Sequence, residues 1–206
     1  MKKIVFVCTG NTCRSPMAEA LLKHHGGERF LVKSAGVYAA EGMEASEYAE
    51  QAIQEQGIAM DHSSQRISQE LVQWADFVLT MTEQHKETLA SLYPKERERV
   101  FTLKEFLAED VPGKEKDEAE LRAAYAEIEL QRALYGFKWQ RADDTEKEQI
   151  QQQFLQAIAP YEAKISELEG QQGSFDVIDP FGQGLAYYRE TRNELEQLIL
   201  KLMNKL

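Results

Sequence analysis

The sequence predicts an α/β fold with a four-stranded parallel sheet, helices on both faces, and an inserted antiparallel helical hairpin. Three observations carry this. Short β-branched or apolar runs alternate with longer helix-forming stretches over the first hundred or so residues, which is the pattern of parallel strands joined by right-handed helical crossovers. The runs Ile4-Val5-Phe6-Val7 and Phe77-Val78-Leu79 are apolar without interruption, as strands buried on both faces are. Between about 109 and 172 the chain turns polar and its apolar residues recur at three- and four-residue steps, the period of helices packed along a seam.

The first strand ends at Cys8. Thr9-Gly10-Asn11-Thr12-Cys13 then leads to Arg14-Ser15, and Pro16 falls in the first turn of an Ala/Leu/Glu-rich helix, where its missing N–H costs nothing. Lys23, His24 and His25 followed by Gly26-Gly27 mark the end of that helix. A loop that ends on a helix N-terminus aims backbone N–H groups and the positive end of the helix dipole inward. Residues 9–15 are therefore expected to cradle a phosphate-sized anion. Gly10 and Asn11 are the residues that tolerate the left-handed backbone such a ring requires.

Cys8 opens the ring and Arg14 closes it, which suits phosphoryl transfer through a covalent intermediate. A free thiol titrates near pH 8.5, but a helix N-terminus and a neighbouring cation lower that value, so a thiolate nucleophile is expected at neutral pH. Arg14 can grip two phosphoryl oxygens with its planar fork, and Ser15 can donate a hydrogen bond to the sulfur. The competing reading of Cys8, a buried structural cysteine at a strand end, leaves the Gly, Asn, Arg and Ser around it unaccounted for.

The stretch Cys8-Thr9-Gly10-Asn11-Thr12-Cys13-Arg14-Ser15-Pro16 resembles the phosphate loop (P-loop) of the low-molecular-weight protein tyrosine phosphatases, with their C-x5-R-S signature. Within that family it looks most like the bacterial protein arginine phosphatases. The resemblance extends to Ser34-Ala35-Gly36, to residues 57–62 and to Asp179-Pro180-Phe181-Gly182. It implies the low-molecular-weight phosphatase fold for residues 1–108 and 173–206, with 109–172 as the helical hairpin insertion. It also implies a cysteine-dependent hydrolase of phosphorylated proteins with no cofactor and no metal. Cys8, Arg14 and Asp179 are then catalytic, and Thr9, Gly10, Asn11, Thr12, Cys13, Arg14 and Ser15 bind phosphate. Ser34 and His62 join Asn11 and Ser15 in a supporting network. Asp179 matches the general acid of the D-P motif, and Asp176 is its rival, expected to be a loop or strand-end residue.

Thr12 and Phe181 bear on substrate. Typical tyrosine phosphatases of this family place a branched aliphatic at the loop position of Thr12, where it packs on a phenol ring. Thr12 instead offers a hydroxyl that can orient water or accept from a guanidinium. Phe181 is followed by Gly182, which leaves one ring to stack on a planar group. These features favour phosphoarginine, with phosphotyrosine as the alternative. An arsenate-reductase-like redox enzyme shares the fold and loop, but that chemistry relays oxidation through further cysteines, and Cys8 and Cys13 are the only two. Cys13 is the expected redox partner of Cys8, which would make the site redox-sensitive.

Further strands are expected over 30–34, 76–81 and 99–103, and helices over 44–56, 68–74, 83–92 and 185–206. The last of these has Leu195, Leu198, Ile199 and Leu202 on one face. In the insertion, Ile150, Phe154, Ala157, Tyr161, Ile165 and Leu168 form one stripe. Leu121, Tyr125, Ile128 and Leu134 or Tyr135 supply the facing one, interrupted by Arg132. Pro160 is expected to bend or divide the second helix. The block from 109 to 172 holds 15 acidic and 8 basic residues, a net −7 of the chain's −11. Such a bias usually marks a solvated face. The other reading is a docking arm or lid, with Phe137 and Trp139 near the hairpin tip as a partner or dimer contact.

A net charge of −11 argues against nucleic acid as partner. Lys2-Lys3 precede only a short apolar stretch, so neither a signal peptide nor a membrane span is expected, and the location read from this is cytoplasmic. His24 and His25 are adjacent and do not share a helix face, which favours a solvated helix end over a metal pair.

Overall fold

The computed structural model describes residues 1–108, 120, 123, 124, 126–128, 130, 131, 134, 135, 138, 143–172 and 175–206. They fall into two compact units, Met1–Ala108 with Phe175–Leu206, and Glu109–Ser174.

In the first unit, strands β1 (Lys2–Cys8), β2 (Phe30–Gly36), β3 (Phe77–Thr80) and β4 (Val100–Thr102) form one sheet in the order β2-β1-β3-β4, every pair parallel. Helices α1 (Arg14–Gly26), α2 (Glu47–Gln54), α3 (Gln69–Trp74), α4 (Glu83–Leu92) and α5 (Leu103–Leu107) follow the strands in turn. In chain order α6 (Asp144–Gln172) belongs to the second unit, and α7 (Leu185–Lys205) closes the first.

The two-residue period of β1 sorts its side chains to opposite faces. Ile4, Phe6 and Cys8 enter a core with Met17, Leu21 and Leu22 of α1, Ile53 of α2, and Leu195, Ile199 and Leu202 of α7. Val5 and Val7 enter a second core with Leu71 and Val72 of α3 and Leu89 of α4. Phe6, Leu21, Leu195 and Ile199 are wholly inaccessible, and burying each such side chain is worth about 1.5–3 kcal/mol. β1 thus lies between helical layers, which is why its sequence does not alternate. Connections leave β1 toward β2 on one side and come to β3 on the other. The strand order therefore switches direction at β1, and the crevice at the carboxyl ends of β1 and β3 is where such sheets bind ligands. Cys8 is the last residue of β1.

Several elements differ from expectation at their ends. The helix α2 begins at Glu47 rather than near 44 because the Ser46 side chain accepts from Ala49 N–H and caps it. The strand β2 continues to Gly36, paired with Cys8. The last strand stops at Thr102 because Thr102 and Glu105 form a reciprocal capping box that starts α5, a helix absent from the sequence-based prediction. As expected, α1 runs through His25 and terminates at Gly27, whose φ of 53° lets its N–H reach Lys23 O. His25 Nε2 lies 3.0 Å from Glu196 Oε1. Among the described residues no group of three or more His, Cys, Asp or Glu is placed to hold a metal ion, and no helix is long and apolar enough to cross a membrane.

In the second unit α6 runs through Pro160 undivided; of the bend or division expected there, the division does not occur. The proline removes a single ladder hydrogen bond, and stripe residues on both sides of it pack: Ile165 is buried, and Phe154 lies with its ring 5.8 Å from that of Tyr135, while Ile158, outside the expected stripe, is buried as well. Of the two candidates for the facing stripe, Tyr135 makes the contact and Leu134 is exposed. Lys164 Nζ and Glu120 Oε2 are 3.2 Å apart. The expectations for Leu121, Tyr125, Arg132, Phe137, Trp139 and the Leu168 side chain lie outside the described residues.

Candidate active site

The loop after β1 is held by hydrogen bonds that also aim its functional groups. Asn11 has φ of 56° and is fully buried. Its Nδ2 donates to Ser15 Oγ at 3.0 Å and to Ser34 Oγ at 2.8 Å, while its Oδ1 accepts from Gln65 N–H at 2.9 Å. His62 Nε2 donates to the Asn11 carbonyl at 2.6 Å. Because the Asn11 amide already donates to Ser15 Oγ, the Ser15 hydroxyl hydrogen is free to point at Cys8 Sγ, 3.0 Å away. Its other acceptor, Ala35 O, is more distant at 3.4 Å. A thiolate at Cys8 thus has a fixed donor.

Of the two residues expected to adopt the left-handed region, Asn11 does and Gly10 does not. One left-handed residue suffices to turn the chain, and a Cβ at Gly10 would meet only Thr12 Oγ1 at 3.6 Å. The glycine with a steric role is Gly36. A Cβ there would lie 2.7 Å from Thr9 O and 2.8 Å from Asn11 N, both backbone atoms of the loop. Just beyond it, Val37 N–H and Tyr38 N–H donate to Cys8 O and Thr9 O.

Arg14 begins α1 and is 4% exposed. Its Nη2 lies 2.6 Å from Asp179 Oδ2, and its Nη1 donates to Val177 O at 3.4 Å. No side chain among the described residues caps α1, and its first turn holds no acid. The amide groups at its start are thus left facing the loop, where an anion can take them. Asp179 Oδ1 accepts from Phe181 N–H at 3.1 Å, which shapes the turn that ends at Gly182. Asp176 is elsewhere: its Oδ1 accepts from Glu83 N–H at the start of α4. A cavity of about 240 Å³ lies over the loop, with Cys8, Thr12, Arg14, Asp179 and Phe181 in its wall. Phe181 is 76% exposed. The structure therefore brings every expected site residue either into this cavity or into the network beneath it.

Two clusters were not anticipated. His85 is buried, with Nε2 2.9 Å from Thr9 Oγ1 and Nδ1 2.8 Å from Thr82 Oγ1. Burial, and then the charge of Arg14, push its pKa down to about 4, against smaller opposing effects of Asp176 and Asp179. It is a neutral bridge from the phosphate loop to the cap of α4. The available signal was a histidine three residues after a capping threonine at the carboxyl end of a central strand. The second cluster surrounds Cys13, whose sulfur lies 3.3 Å from Ser46 Oγ and 3.5 Å from Tyr188 OH. Burial and the Cys13 contact push the Tyr188 phenol up to about 12. Cys8 and Cys13 are both free thiols.

The comparisons with known proteins agree with this geometry. Residues 3–136 match the low molecular weight phosphotyrosine protein phosphatase family. The chain is 34% identical over 204 residues to the protein-arginine-phosphatase of Geobacillus stearothermophilus, covering 99% of this chain and 95% of that one. It is 38% identical over 107 residues to the low molecular weight protein-tyrosine-phosphatase PtpB of Staphylococcus aureus, covering 52% of this chain and 75% of PtpB. A solved structure of a YwlE arginine phosphatase mutant with a phosphorylated active-site serine superposes with a TM-score of 0.66 at 32% identity, over 99% of this chain and 95% of that one. Sheet order, anion loop and sequence matches lead to one assignment: the chain belongs to the low-molecular-weight phosphotyrosine protein phosphatase family, whose members are cysteine-dependent protein phosphatases.

Proposed function

We propose that the protein hydrolyses phosphoarginine on protein substrates, with Cys8 as nucleophile, Arg14 as phosphate clamp and Asp179 as general acid and base. The observation that carries the substrate is Thr12, a hydroxyl-bearing residue that lines the same cavity as Phe181. Similarity to the Geobacillus arginine phosphatase along nearly its whole length supports the same reading.

In this reaction the substrate phosphoryl group occupies the loop N–H groups and the Arg14 fork, which releases the Asp179 carboxyl toward the leaving group. The Cys8 thiolate attacks phosphorus, so that the S–P bond forms while the P–N bond breaks. The electron pair of that bond stays on the guanidine nitrogen, which takes the Asp179 proton and departs as guanidinium. Water then loses a proton to the Asp179 carboxylate and attacks phosphorus, and the S–P pair returns to Cys8, giving inorganic phosphate and the starting thiolate. Arg14 and the start of α1 hold the phosphoryl oxygens through both steps. Ser15 steadies the sulfur whenever it is anionic, and Thr12 orients the water. The supporting network of Asn11, Ser34 and His62 holds the ring in shape.

Phosphotyrosine is the second reading, favoured by the similarity to PtpB and its family. Turnover of phosphoarginine and phosphotyrosine peptides by the wild type and by Thr12→Ile separates the two. The wild type is expected to prefer phosphoarginine, and the substitution to shift preference toward phosphotyrosine. A wild-type preference for phosphotyrosine, unchanged by Thr12→Ile, rejects the arginine assignment. The block over 109–172 is read as an appendage that the chemistry does not use, since no residue of it enters the proposed reaction.

A further inference from the structure

We infer that Lys104 and Glu194 are positioning residues that hold Asp179 at its working height. The inference rests on the reading of Asp179 as general acid. Asp179 itself is half exposed and, among the described residues, is tied by two bonds, to Arg14 and to the Phe181 amide. The first of these is lost when phosphate takes the arginine. What fixes the acid at that moment is the backbone just ahead of it, and Lys104 and Glu194 grip that backbone together.

Lys104 lies on α5 and Glu194 on α7, and Lys104 Nζ is 2.6 Å from Glu194 Oε1. The same ammonium donates to Asp176 O at 2.6 Å, and the other carboxylate oxygen of Glu194 accepts from Ile178 N–H at 3.2 Å. The pair thus closes a ring over residues 176–178, bonding the carbonyl at one end and the amide at the other. Val177, between them, donates its N–H to Met81 O beyond the end of β3. An ordinary surface ion pair of this exposure, 24% and 22%, is worth little in stability. Here both partners spend a second bond on the backbone that delivers the acid. A proton donor must lie within hydrogen-bond reach of the leaving atom, and a shift of about 1 Å in such a group costs on the order of a hundredfold in rate.

The test is the dependence of kcat/KM on leaving-group basicity. Aryl phosphates whose phenols range from strongly to weakly acidic are compared for the wild type, Asp179→Asn, Lys104→Met, Glu194→Gln and Lys104→Arg. A misplaced acid hurts poor leaving groups most. Lys104→Met and Glu194→Gln are therefore expected to lose about tenfold on the most basic phenol and less than about twofold on the most acidic, a fraction of the ~10²–10⁴ that general acid catalysis supplies. Lys104→Arg is expected to restore the wild-type slope. If Lys104→Met folds poorly, Glu194→Gln carries the comparison, since it keeps an acceptor for Ile178. A steeper slope for Asp179→Asn with wild-type slopes for both clamp variants overturns the clamp alone. A wild-type slope for Asp179→Asn overturns the acid assignment, and the clamp with it.

Discussion

Arg14 Nη2 and Asp179 Oδ2 are 2.6 Å apart, so the proposed phosphate clamp is held by the proposed general acid. Any oxyanion entering the site competes with that carboxylate for the guanidinium. Asp179→Asn removes the competing charge along with the proposed proton donor. Turnover is expected to fall by roughly 10²–10⁴, while the inhibition constant of inorganic phosphate falls too, by less than about tenfold, the scale of one partly exposed ion pair. Steady-state kinetics with phosphate as competitive inhibitor checks both; a weaker grip on phosphate in the variant would contradict the competition.

Gly36→Ala is expected to damage the site more than the sheet. The new methyl would stand 2.7 Å from Thr9 O and 2.8 Å from Asn11 N, and backbone cannot rotate away as a side chain can. The loop must shift, with an expected loss of about a hundredfold in kcat/KM and a destabilisation of about 1–3 kcal/mol. Thermal unfolding and turnover measured together check this, and wild-type turnover would refute it.

The buried His85 makes stability depend on pH in a definite direction. Its folded-state pKa of about 4 lies below the ordinary 6.5, so between those values the unfolded chain binds a proton that the folded chain does not. Stability from this residue is full above about pH 6.5 and is lost as pH falls toward about 4. His85→Gln is expected to flatten that part of the profile. Urea midpoints of both proteins from pH 7 to pH 4 supply the measurement, and parallel profiles would count against it.

Oxidation by one equivalent of peroxide is expected to join Cys8 and Cys13 in a disulfide, two thiols giving one S–S bond and two waters. Cys13 must first leave Ser46 and Tyr188. Tyr188→Phe is therefore expected to speed disulfide formation and leave it reversible by thiols. Peptide mapping by mass spectrometry follows the reaction; overoxidised Cys8 with Cys13 untouched would be the adverse result.

What the sequence discloses depends on how close in the chain the partners lie. Cys8, Asn11, Arg14 and Ser15 lie within one short stretch of loop and helix, so the chemistry proposed for them is written in nearly consecutive letters. Ser34 and His62 touch the same asparagine from distant segments, and only a family likeness reveals them. His85 had neither aid: 76 positions separate it from Thr9, and its environment exists only once β1 and β3 are adjacent. Lys104 and Glu194 look like ordinary surface charges until α5 and α7 are packed. The Thr102–Glu105 capping box and the helix it starts went unpredicted, because α5 is too short to show a period. At Pro160 the division that the sequence allowed does not occur, and the helix continues on both sides of it.

Lys104 sits just before the chain leaves the first unit at Ala108, and Asp176 just after it returns at Phe175; the ammonium of one is bonded to the carbonyl of the other. The doorway through which Glu109–Ser174 departs is thus latched from inside. For a flexible excursion, each doubling of the length hung on such a doorway costs only about 0.6 kcal/mol. The position is accordingly a natural splice point for foreign cargo. A recognition module whose two ends lie close together, set between Ala108 and Phe175, would turn the phosphatase into an eraser delivered to chosen proteins, with its selectivity supplied by the graft and its chemistry left to the loop after β1.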